Sequence, residues 1–435
     1  MDSKALTKIQ SAALIAIIVV AAVGGGASYV WWRASLPPPE DIRIGICADI
    51  DMTTGKGAYR GAELAAEEIN AGGGILGRNV TIVAEDNDAE SGGDLAVAVN
   101  SITRLITVDK ADYVIIAAGN VQVMQDVCAE HRKILFSVYS INIEDTQRVL
   151  DNYGKYKYFF RIWQPNSTST MALYIDSLLT LRNYTGFSKV AFLVEDRASV
   201  RDMATELERI LSDLEFEIVY HAAMPSSVTD FTSYLAAIEE SGAEILYPIS
   251  LGQPGTSLVK EYYDRQSPFV LWGQVNMATD FDFWNITDGK CESITVNGNA
   301  ITAGYALTSK TLPTRDAFLE RWGTMPRGVS VSAYDLVRFI LPDAIRRAGT
   351  TETEAVIKAL ETTNVETSMA RHFVFTSSHD VMVGEAGPTT PGADHVLIPM
   401  IQWQNGTQVI VYPEKIMKEA GATYVYPHWQ GSWSK

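Results

Sequence analysis

The sequence has few of the residues and motifs on which metal sites and covalent catalysis depend. It contains three cysteines, Cys47, Cys128 and Cys291, and six histidines among 435 residues. The cysteines are too few and too scattered for a disulfide framework or a zinc site, and the histidines show no metal-ligand spacing. No Gly-x-Ser-x-Gly, phosphate-loop or Cys-x-x-Cys motif occurs. We therefore expect no metal, no cofactor, no catalytic residues and a protein that is not an enzyme.

Positive charge is also scarce. The chain has 35 Lys and Arg against 52 Asp and Glu, which gives a net charge of −17. Such a balance argues against nucleic acid or anionic lipid headgroups as partners and is typical of soluble, exported proteins. A hydrophobic content of 47%, with 10% aromatic residues, excludes a disordered chain. The length is sufficient for two domains.

The longest uncharged stretch lies near the N-terminus. Residues Ile9–Trp32 contain no charged side chain over 24 positions. A helix of that length spans about 30 Å of hydrocarbon, and aromatic residues at its far end suit the headgroup level. Lysines precede the stretch, which predicts an N-terminus inside and the bulk of the chain outside. We expect a transmembrane anchor over residues 9–32 and a Pro-rich linker over 33–41.

A cleaved signal peptide is the alternative interpretation of this stretch. The apolar run is longer than the usual core of a signal peptide, and no cysteine follows it that could carry a lipid. The pair Ala27-Ser28 nevertheless offers a small-residue cleavage site.

Beyond the linker, the hydrophobic pattern alternates between strand and helix. Short β-rich runs such as Ile42–Ala48 and Val80–Ala84 flank an amphipathic helix at Tyr59–Asn70. A second alternating series begins after Phe160 with a strand at Lys189–Val194. Helices that alternate with buried strands indicate parallel sheets covered on both faces. The fold class is therefore α/β, with two doubly wound parallel-sheet lobes.

Loops at the carboxyl ends of parallel strands form the binding sites of such sheets. Six loops of this kind carry hydroxyls, amides and glycines, which suit a small polar molecule: Asp49–Gly57, Ala118–Gln122, Tyr139–Glu144, Glu195–Ser199, Ser250–Gln253 and Gly273–Ala278.

A longer motif connects these features with a known family. The segment Gly61–Asp88 reads GAELAAEEINAGGGILGRNVTIVAEDND. It resembles the type I periplasmic binding proteins of the branched-chain amino-acid class, which capture substrates for ABC importers. Shorter similarities occur at Tyr158–Arg161, at Ala333–Asp335 and at Gln402–Gly406, so the resemblance covers nearly all of residues 42–415.

The resemblance implies two lobes joined by three crossings, which close on the ligand by hinge motion. It implies a first lobe of residues 42–162 and 296–365, a second lobe of residues 163–295 and 366–420, and a C-terminal tail of residues 421–435. The implied function is the extracytoplasmic solute-binding subunit of an ABC importer. Its partners are a small polar solute and the permease subunits in the membrane.

The resemblance also implies where the ligand binds. Binders of this class hold an amino acid's carboxylate with hydroxyls and backbone amides, and its ammonium with an acidic side chain. This chain offers amides instead of hydroxyls after the third strand, and no carboxylate near Gln274. Asp196 remains as the ammonium partner, and an amide-bearing solute suits the loops about as well. The expected ligand-binding residues are Thr54, Asn120, Gln122, Tyr139, Ser140, Asp196, Ser250, Trp272, Gln274, Asn276 and Tyr334.

Two of these residues have an equally ordinary structural interpretation. Tyr334 opens a predicted helix, where core packing is the commoner role, and Trp272 ends a predicted strand. Asn120, Gln122 and Ser140 also have the chemistry of ordinary turns.

Two other functions remain open at this point. A ligand-sensing receptor ectodomain would share the fold, but we expect a second membrane span and an output domain in a sensor. A less favoured alternative is an NAD(P)-dependent enzyme, because Gly55, Gly57 and Gly61 follow a strand. About seven residues separate that strand from the first glycine, whereas a dinucleotide fingerprint starts directly after its strand.

Overall fold

The computed structural model describes residues 40–89, 94–384, 394–396 and 398–430. The expected anchor over residues 9–32, most of the linker and the last five residues lie outside these ranges. Among the helices of the described residues, none combines the length and the apolar character that a membrane span requires.

The first lobe is built on a five-stranded sheet in which every pairing is parallel. The strand order is β2-β1-β3-β4-β5. Each strand is a short apolar run, and the inner strands are buried on both faces, as expected for a sheet covered by helices. The strands are β1 Ile42–Cys47, β2 Val80–Glu85, β3 Tyr113–Ala117, β4 Ile134–Tyr139 and β5 Phe159–Arg161.

The second lobe is built on a seven-stranded mixed sheet of order β12-β11-β10-β9-β8-β6-β7. Its strands are β6 Lys189–Glu195, β7 Glu217–Met224, β8 Ile245–Ile249, β9 Val270–Gly273, β10 Thr295–Asn297, β11 Met400–Gln404 and β12 Thr407–Tyr412. Five strands pair in parallel, and β11 and β12 add an antiparallel hairpin at one edge. The hairpin turns at Asn405-Gly406, both with positive φ, which is the usual chemistry of a two-residue turn.

Helices cover both sheets. In chain order they are α1 Thr53–Ala71, α2 Leu95–Thr107, α3 Val121–His131, α4 Ile143–Asp151, α5 Tyr153–Tyr156, α6 Ser167–Thr185, α7 Ala198–Asp213, α8 Thr232–Glu240, α9 Gly255–Arg265, α10 Phe283–Ile286, α11 Thr311–Trp322, α12 Gly328–Asp335, α13 Leu341–Ala348, α14 Thr353–Leu360 and α15 Glu414–Glu419. A π-helical turn, Leu336–Ile340, joins α12 to α13. Helices α1–α5 and α11–α14 pack on the first sheet and the others on the second.

The chain passes between the lobes three times. The crossings lie between β5 and α6, between β10 and α11, and between Ile398 and β11, where successive residues belong to different sheets or cores. The predicted pair of α/β lobes is therefore confirmed, with an antiparallel hairpin added to the second sheet.

One segment differs from the predicted division of the chain, which assigns residues 366–420 to the second lobe. Phe373, Phe375 and Val381 pack in the core of the first lobe. The cause lies in α12, where the buried carboxylate of Asp335 accepts hydrogen bonds from the backbone N–H of Ser368 and from its hydroxyl. These contacts hold the segment against the first lobe. The other boundaries of the division stay predictions.

Helix α1 begins six residues before the sequence pattern predicts. The early turns contain glycines, and the structure explains them by close packing of backbone on backbone. A Cβ on Gly55 would lie 2.1 Å from the carbonyl oxygen of Asp49, and one on Gly61 would lie 2.0 Å from the carbonyl oxygen of Ser330. These glycines therefore let α1 approach its own preceding loop and α12.

Because α1 and α12 meet through Gly61, substituting Gly61→Ala should separate the two helices. We expect the free energy of unfolding to fall by at least about 2 kcal/mol, as for other overpacked sites. Gly72→Ala is the matched control, since Gly72 has φ of −85° and its nearest contact to an added Cβ is 3.4 Å. Urea unfolding of both variants measures the difference. Equal stability of the two variants would contradict the packing described here.

Candidate ligand-binding cleft

A cleft of about 620 Å³ lies between the two lobes. Each of the six predicted loops contributes to its lining, the first-lobe loops through residues such as Thr54, Gly119 and Ser140, and the second-lobe loops through Arg197, Ser250 and Gln274. The carboxyl ends of parallel strands share one edge of each sheet, and here the two edges face each other. The predicted cleft is therefore present, with a volume in the range of small-molecule sites.

The edge of the cleft that the first lobe forms, here called the first-lobe rim, is stabilised by a buried ionic cluster. The Arg161 side chain, fully buried, lies 3.8 Å from the Asp145 carboxylate and 3.4 Å from that of Asp380. Ser140, which lines the cleft, donates its hydroxyl proton to Asp145, and Arg161 also donates to the carbonyl oxygen of Asn142. The cluster therefore fixes the loop that follows β4.

The same cluster holds the first crossing. Asn166 caps the N-terminus of α6, and its amide nitrogen donates to Asp380 at 2.8 Å. Burial raises the pKa of the Asp145 carboxyl, while Ser140 and Arg161 act in the opposite direction. The charge of Arg161 therefore offsets part of the cost of burying this carboxyl.

The edge of the cleft that the second lobe forms, here called the second-lobe rim, is stabilised by hydrogen bonds to a side-chain amide. The side-chain oxygen of Gln274 accepts hydrogen bonds from the backbone N–H of Ser250 at 3.0 Å and from its hydroxyl at 3.3 Å. Ser250 has a φ of 58°, a left-handed conformation that this hydrogen bond supports. Gln274 therefore shapes the rim as well as lining it.

The structure brings six of the eleven predicted ligand-binding residues into the cleft. They are Thr54, Tyr139 and Ser140 from the first lobe, and Ser250, Gln274 and Asn276 from the second. Tyr139, which lines the cleft, is nearly half exposed.

Five predicted residues lie elsewhere. Asn120 caps α3, where its side chain accepts from the N–H of Val123, and Gln122 contributes its carbonyl oxygen to Arg148. Asp196 is half exposed and forms an ion pair with Arg201, outside the lining of the cleft. The expected role of Asp196 as ammonium partner is therefore not supported by its position.

The two aromatic residues in this set belong to the cores. Trp272 is fully buried and donates its indole proton to the hydroxyl of Ser177 at 3.2 Å. Tyr334 packs against Phe318 and donates to Glu68 at 2.8 Å. Of the two interpretations that the sequence left open for these residues, core packing is the correct one.

Several lining residues were not among the predicted ligand-binding residues. Arg197 lies directly before α7 and Arg327 directly before α12, so both project from helix N-termini. Trp163 and Tyr174 supply apolar surface near the first crossing. Arg197 belongs to a predicted loop and could have been chosen from it. Arg327 comes from a segment that only the packing of α12 on α1 brings to the cleft.

A second cavity of about 790 Å³ adjoins the cleft, beside α11 and the N-terminus of α12. Both cavities share Thr53, Thr279 and Arg327. Across this junction, Arg327 of the first lobe pairs with Asp280 of the second at 2.8 Å. This ion pair joins the lobes where they face each other.

Within the described ranges, no group of three or more His, Cys, Asp and Glu side chains is placed to hold a metal ion. The three cysteines are free and buried, and burial raises the pKa of the Cys47 thiol to about 12.

The architecture and the cleft can be compared with known proteins. Residues 49–385 match the family model described as "Periplasmic binding protein". The chain belongs to this family. Its members are solute-binding proteins, not enzymes, and act outside the cytoplasm. The resemblance seen at Gly61–Asp88 is thereby confirmed, and so is the expectation of an extracytoplasmic binding domain.

Individual relatives are distant but cover most of the chain. Leu/Ile/Val-binding protein homolog 7 of Brucella abortus is 22% identical over 377 residues, which are 83% of this chain and 88% of the relative. An amino acid binding protein of Pseudomonas aeruginosa is 24% identical over 345 residues, or 76% and 85% of the two chains.

Solved structures show the same fold. A structure from Silicibacter pomeroyi, described as a branched-chain amino acid ABC transporter, has a TM-score of 0.76 at 18% identity, covering 89% of this chain and all of that one. A Streptococcus pneumoniae substrate-binding protein in complex with isoleucine has a TM-score of 0.66 at 17% identity, with 85% and 97% covered. A solute-binding protein of R. palustris in complex with benzoate has a TM-score of 0.64 at 16% identity, with 91% and 100% covered.

Since Arg161 neutralises two buried carboxylates, Arg161→Met should destabilise the protein strongly. We expect a loss of about 3–5 kcal/mol in the free energy of unfolding, because Asp145 and Asp380 would remain buried without their cationic partner. Arg209→Met is the control, since its exposed side chain pairs with Glu206 on the surface of α7; it should change the free energy of unfolding little. Denaturant unfolding compares the two variants. A small effect of Arg161→Met would show that the cluster does not support the rim.

Proposed function

We propose that this periplasmic binding protein is the solute-capturing subunit of an ABC importer. It takes up a small polar solute, such as an amino acid, an amide or a related compound, and delivers it to permease subunits in the membrane. The observation that carries the proposal is a cleft lined by loops from both lobes at the carboxyl ends of their parallel strands. Relatives named as amino-acid and branched-chain amino-acid binding proteins support this role.

In the proposed mechanism, first-lobe groups capture the polar part of the solute and the second lobe closes over it. Thr54, Tyr139 and Ser140 provide the first contacts, and Ser250, Gln274 and Asn276 complete the site. Closure removes water from the cleft, which strengthens each hydrogen bond to the buried solute. The chain crosses between the lobes three times, and we propose that these crossings act as the hinge for such closure.

The range of candidate solutes follows from the relatives. One related fold holds isoleucine and another holds benzoate, so the same architecture accepts solutes with and without an ammonium group. The test panel should therefore include branched-chain amino acids, their amides and small organic acids.

The proposal predicts one-to-one binding of at least one member of this panel to the full chain in detergent, measured by titration calorimetry. Binding should be lost in Asn276→Trp, where the exposed amide of the cleft is replaced by a bulky ring, and retained in Asn285→Trp on the surface of α10. Small-angle X-ray scattering should show a smaller radius of gyration with bound solute, since hinge closure makes the molecule more compact. Absence of binding across the panel, or equal binding by both variants, would contradict the proposed function.

We also propose that residues 9–32 anchor the binding domain to the membrane. Support comes from the sequence, where 24 successive uncharged residues follow two lysines. An anchored binder stays close to its permease, which raises the effective concentration of the loaded form.

An uncleaved anchor predicts that the mature protein keeps its first residues and remains in the membrane fraction after alkaline carbonate washing. Intact-mass measurement of the extracted protein checks both points. A mature N-terminus near Ala27-Ser28, with release into the soluble fraction, would instead show a cleaved signal peptide.

A further inference from the structure

The charges in the cleft are of one sign. Its described lining contains two guanidinium groups, Arg197 from the second lobe and Arg327 from the first, and no Asp or Glu side chain. This pattern is unexpected in a chain with a net charge of −17. An acidic side chain favours the ammonium group of an α-amino acid, and Asp196, the residue expected to serve, pairs with Arg201 outside the cleft.

The acids nearest to the two arginines are already engaged. Glu195 lies 3.2 Å from Arg197 and also accepts from the backbone N–H of Gly252 at 3.3 Å. Asp280 accepts from one guanidinium nitrogen of Arg327 at 2.8 Å. A guanidinium has five N–H donors, so one carboxylate leaves others for a ligand. Both arginine side chains are about half exposed, with 55% and 50% of their surface open.

Helix geometry adds to the positive potential. Four helices of eight or more residues begin at the cleft, since Thr53 starts α1, Ser167 starts α6, Arg197 precedes α7 and Gly328 starts α12. The N-terminal end of each helix carries about half a positive charge and backbone N–H donors. These ends face the same cavity as the two arginines, so the field of the lining favours a negative charge.

The rest of the lining is uncharged, and part of it is apolar. Trp163, Tyr174, Val200, Val329 and Ile398 supply aromatic and aliphatic surface that a wholly inorganic anion would leave uncovered. A ligand that satisfies both parts has one anionic head and a hydrophobic body.

On the basis of the proposed binding role, we infer that the solute is an organic carboxylate without an α-ammonium group, held by Arg197 and Arg327 from opposite lobes. Bidentate pairing of a guanidinium with a carboxylate supplies both strength and orientation. Because the two arginines come from different lobes, a carboxylate bound to both of them bridges the lobes. It takes the place of part of their ion pairing with Glu195 and Asp280 and favours closure of the cleft.

The test uses solutes that share one body and differ only at the head. The first set is 4-methylpentanoate, 4-methylpentanamide, isoamylamine and leucine, and the second is 3-phenylpropanoate, its amide, phenethylamine and phenylalanine. Titration of the full chain should show that at least one acid binds at least tenfold more tightly than the amide, amine and amino acid of its set. Binding of an amino acid or amide in preference to the acid would overturn the inference and leave the solute-binding role in place. Absence of binding by both sets would overturn the inference as well, and the wider panel and the scattering measurement then decide the proposed function separately.

Variants identify the groups that hold the anion. Arg197→Gln and Arg327→Gln should each weaken binding of the acid by about 10- to 100-fold, as for a lost hydrogen bond to a charged group. Arg201→Gln, one turn further along α7 and outside the lining, is the control and should leave affinity unchanged. Equal effects of Arg197→Gln and Arg201→Gln would contradict the assignment.

Arg327 also joins the lobes through Asp280, so a second variant separates the two roles. Asp280→Asn removes the competing carboxylate and should tighten binding of the acid if Arg327 contacts it. If Arg327 acts only as an interlobe contact, Asp280→Asn should weaken binding as Arg327→Gln does, and that result would overturn its role. Asp282→Asn on the exposed surface nearby makes the same change in net charge and controls for it.

Discussion

The buried guanidinium of Arg161 is the interaction on which the binding cleft depends. It is the last residue of β5, and its two acidic partners come from the helix after β4 and from the segment that returns to the first lobe. Three parts of the chain that are distant in sequence are therefore tied at the first crossing. Ser140 and Asn142 on the rim are positioned by the same groups, so the shape of the cleft and the first crossing between the lobes share one ionic cluster. Because buried charges are costly unless they are paired, each member of the cluster requires the others.

Topology then explains where the cleft lies. Every strand of the first sheet, and five of the second, run in parallel, so their following loops leave from one edge. The hairpin β11–β12 follows the third crossing in the chain and extends the second sheet at the edge opposite β7. Close contact of α1 with α12 through Gly61 brings the N-termini of both helices to the rim, and with them Thr54 and Arg327.

Electrostatics distinguishes the cleft from the rest of the protein. The chain is strongly acidic, whereas the described lining of the cleft carries only arginine charges. An acidic exterior keeps an exported protein soluble, and a local positive field in a partly enclosed site attracts anions from solution. Family membership places the chain among solute-binding proteins, and the inferred preference for an organic carboxylate rests on these few side chains.

The sequence by itself determined the fold class, the family and the six loops that form the cleft, because strand and helix periodicity and the motif at Gly61–Asp88 are local signals. It also identified lining residues such as Ser140, Ser250 and Gln274, each of which comes directly after a strand. Only the tertiary structure decided between packing and binding for Trp272 and Tyr334, since a side chain's direction depends on neighbours far along the chain. The tertiary structure likewise places Arg327 in the lining of the cleft and Asp196 outside it. It also places Phe373 and Phe375 in the core of the first lobe. Apart from the local ion pair of Asp196 with Arg201, these outcomes rest on long-range packing, which leaves no periodic trace in the sequence.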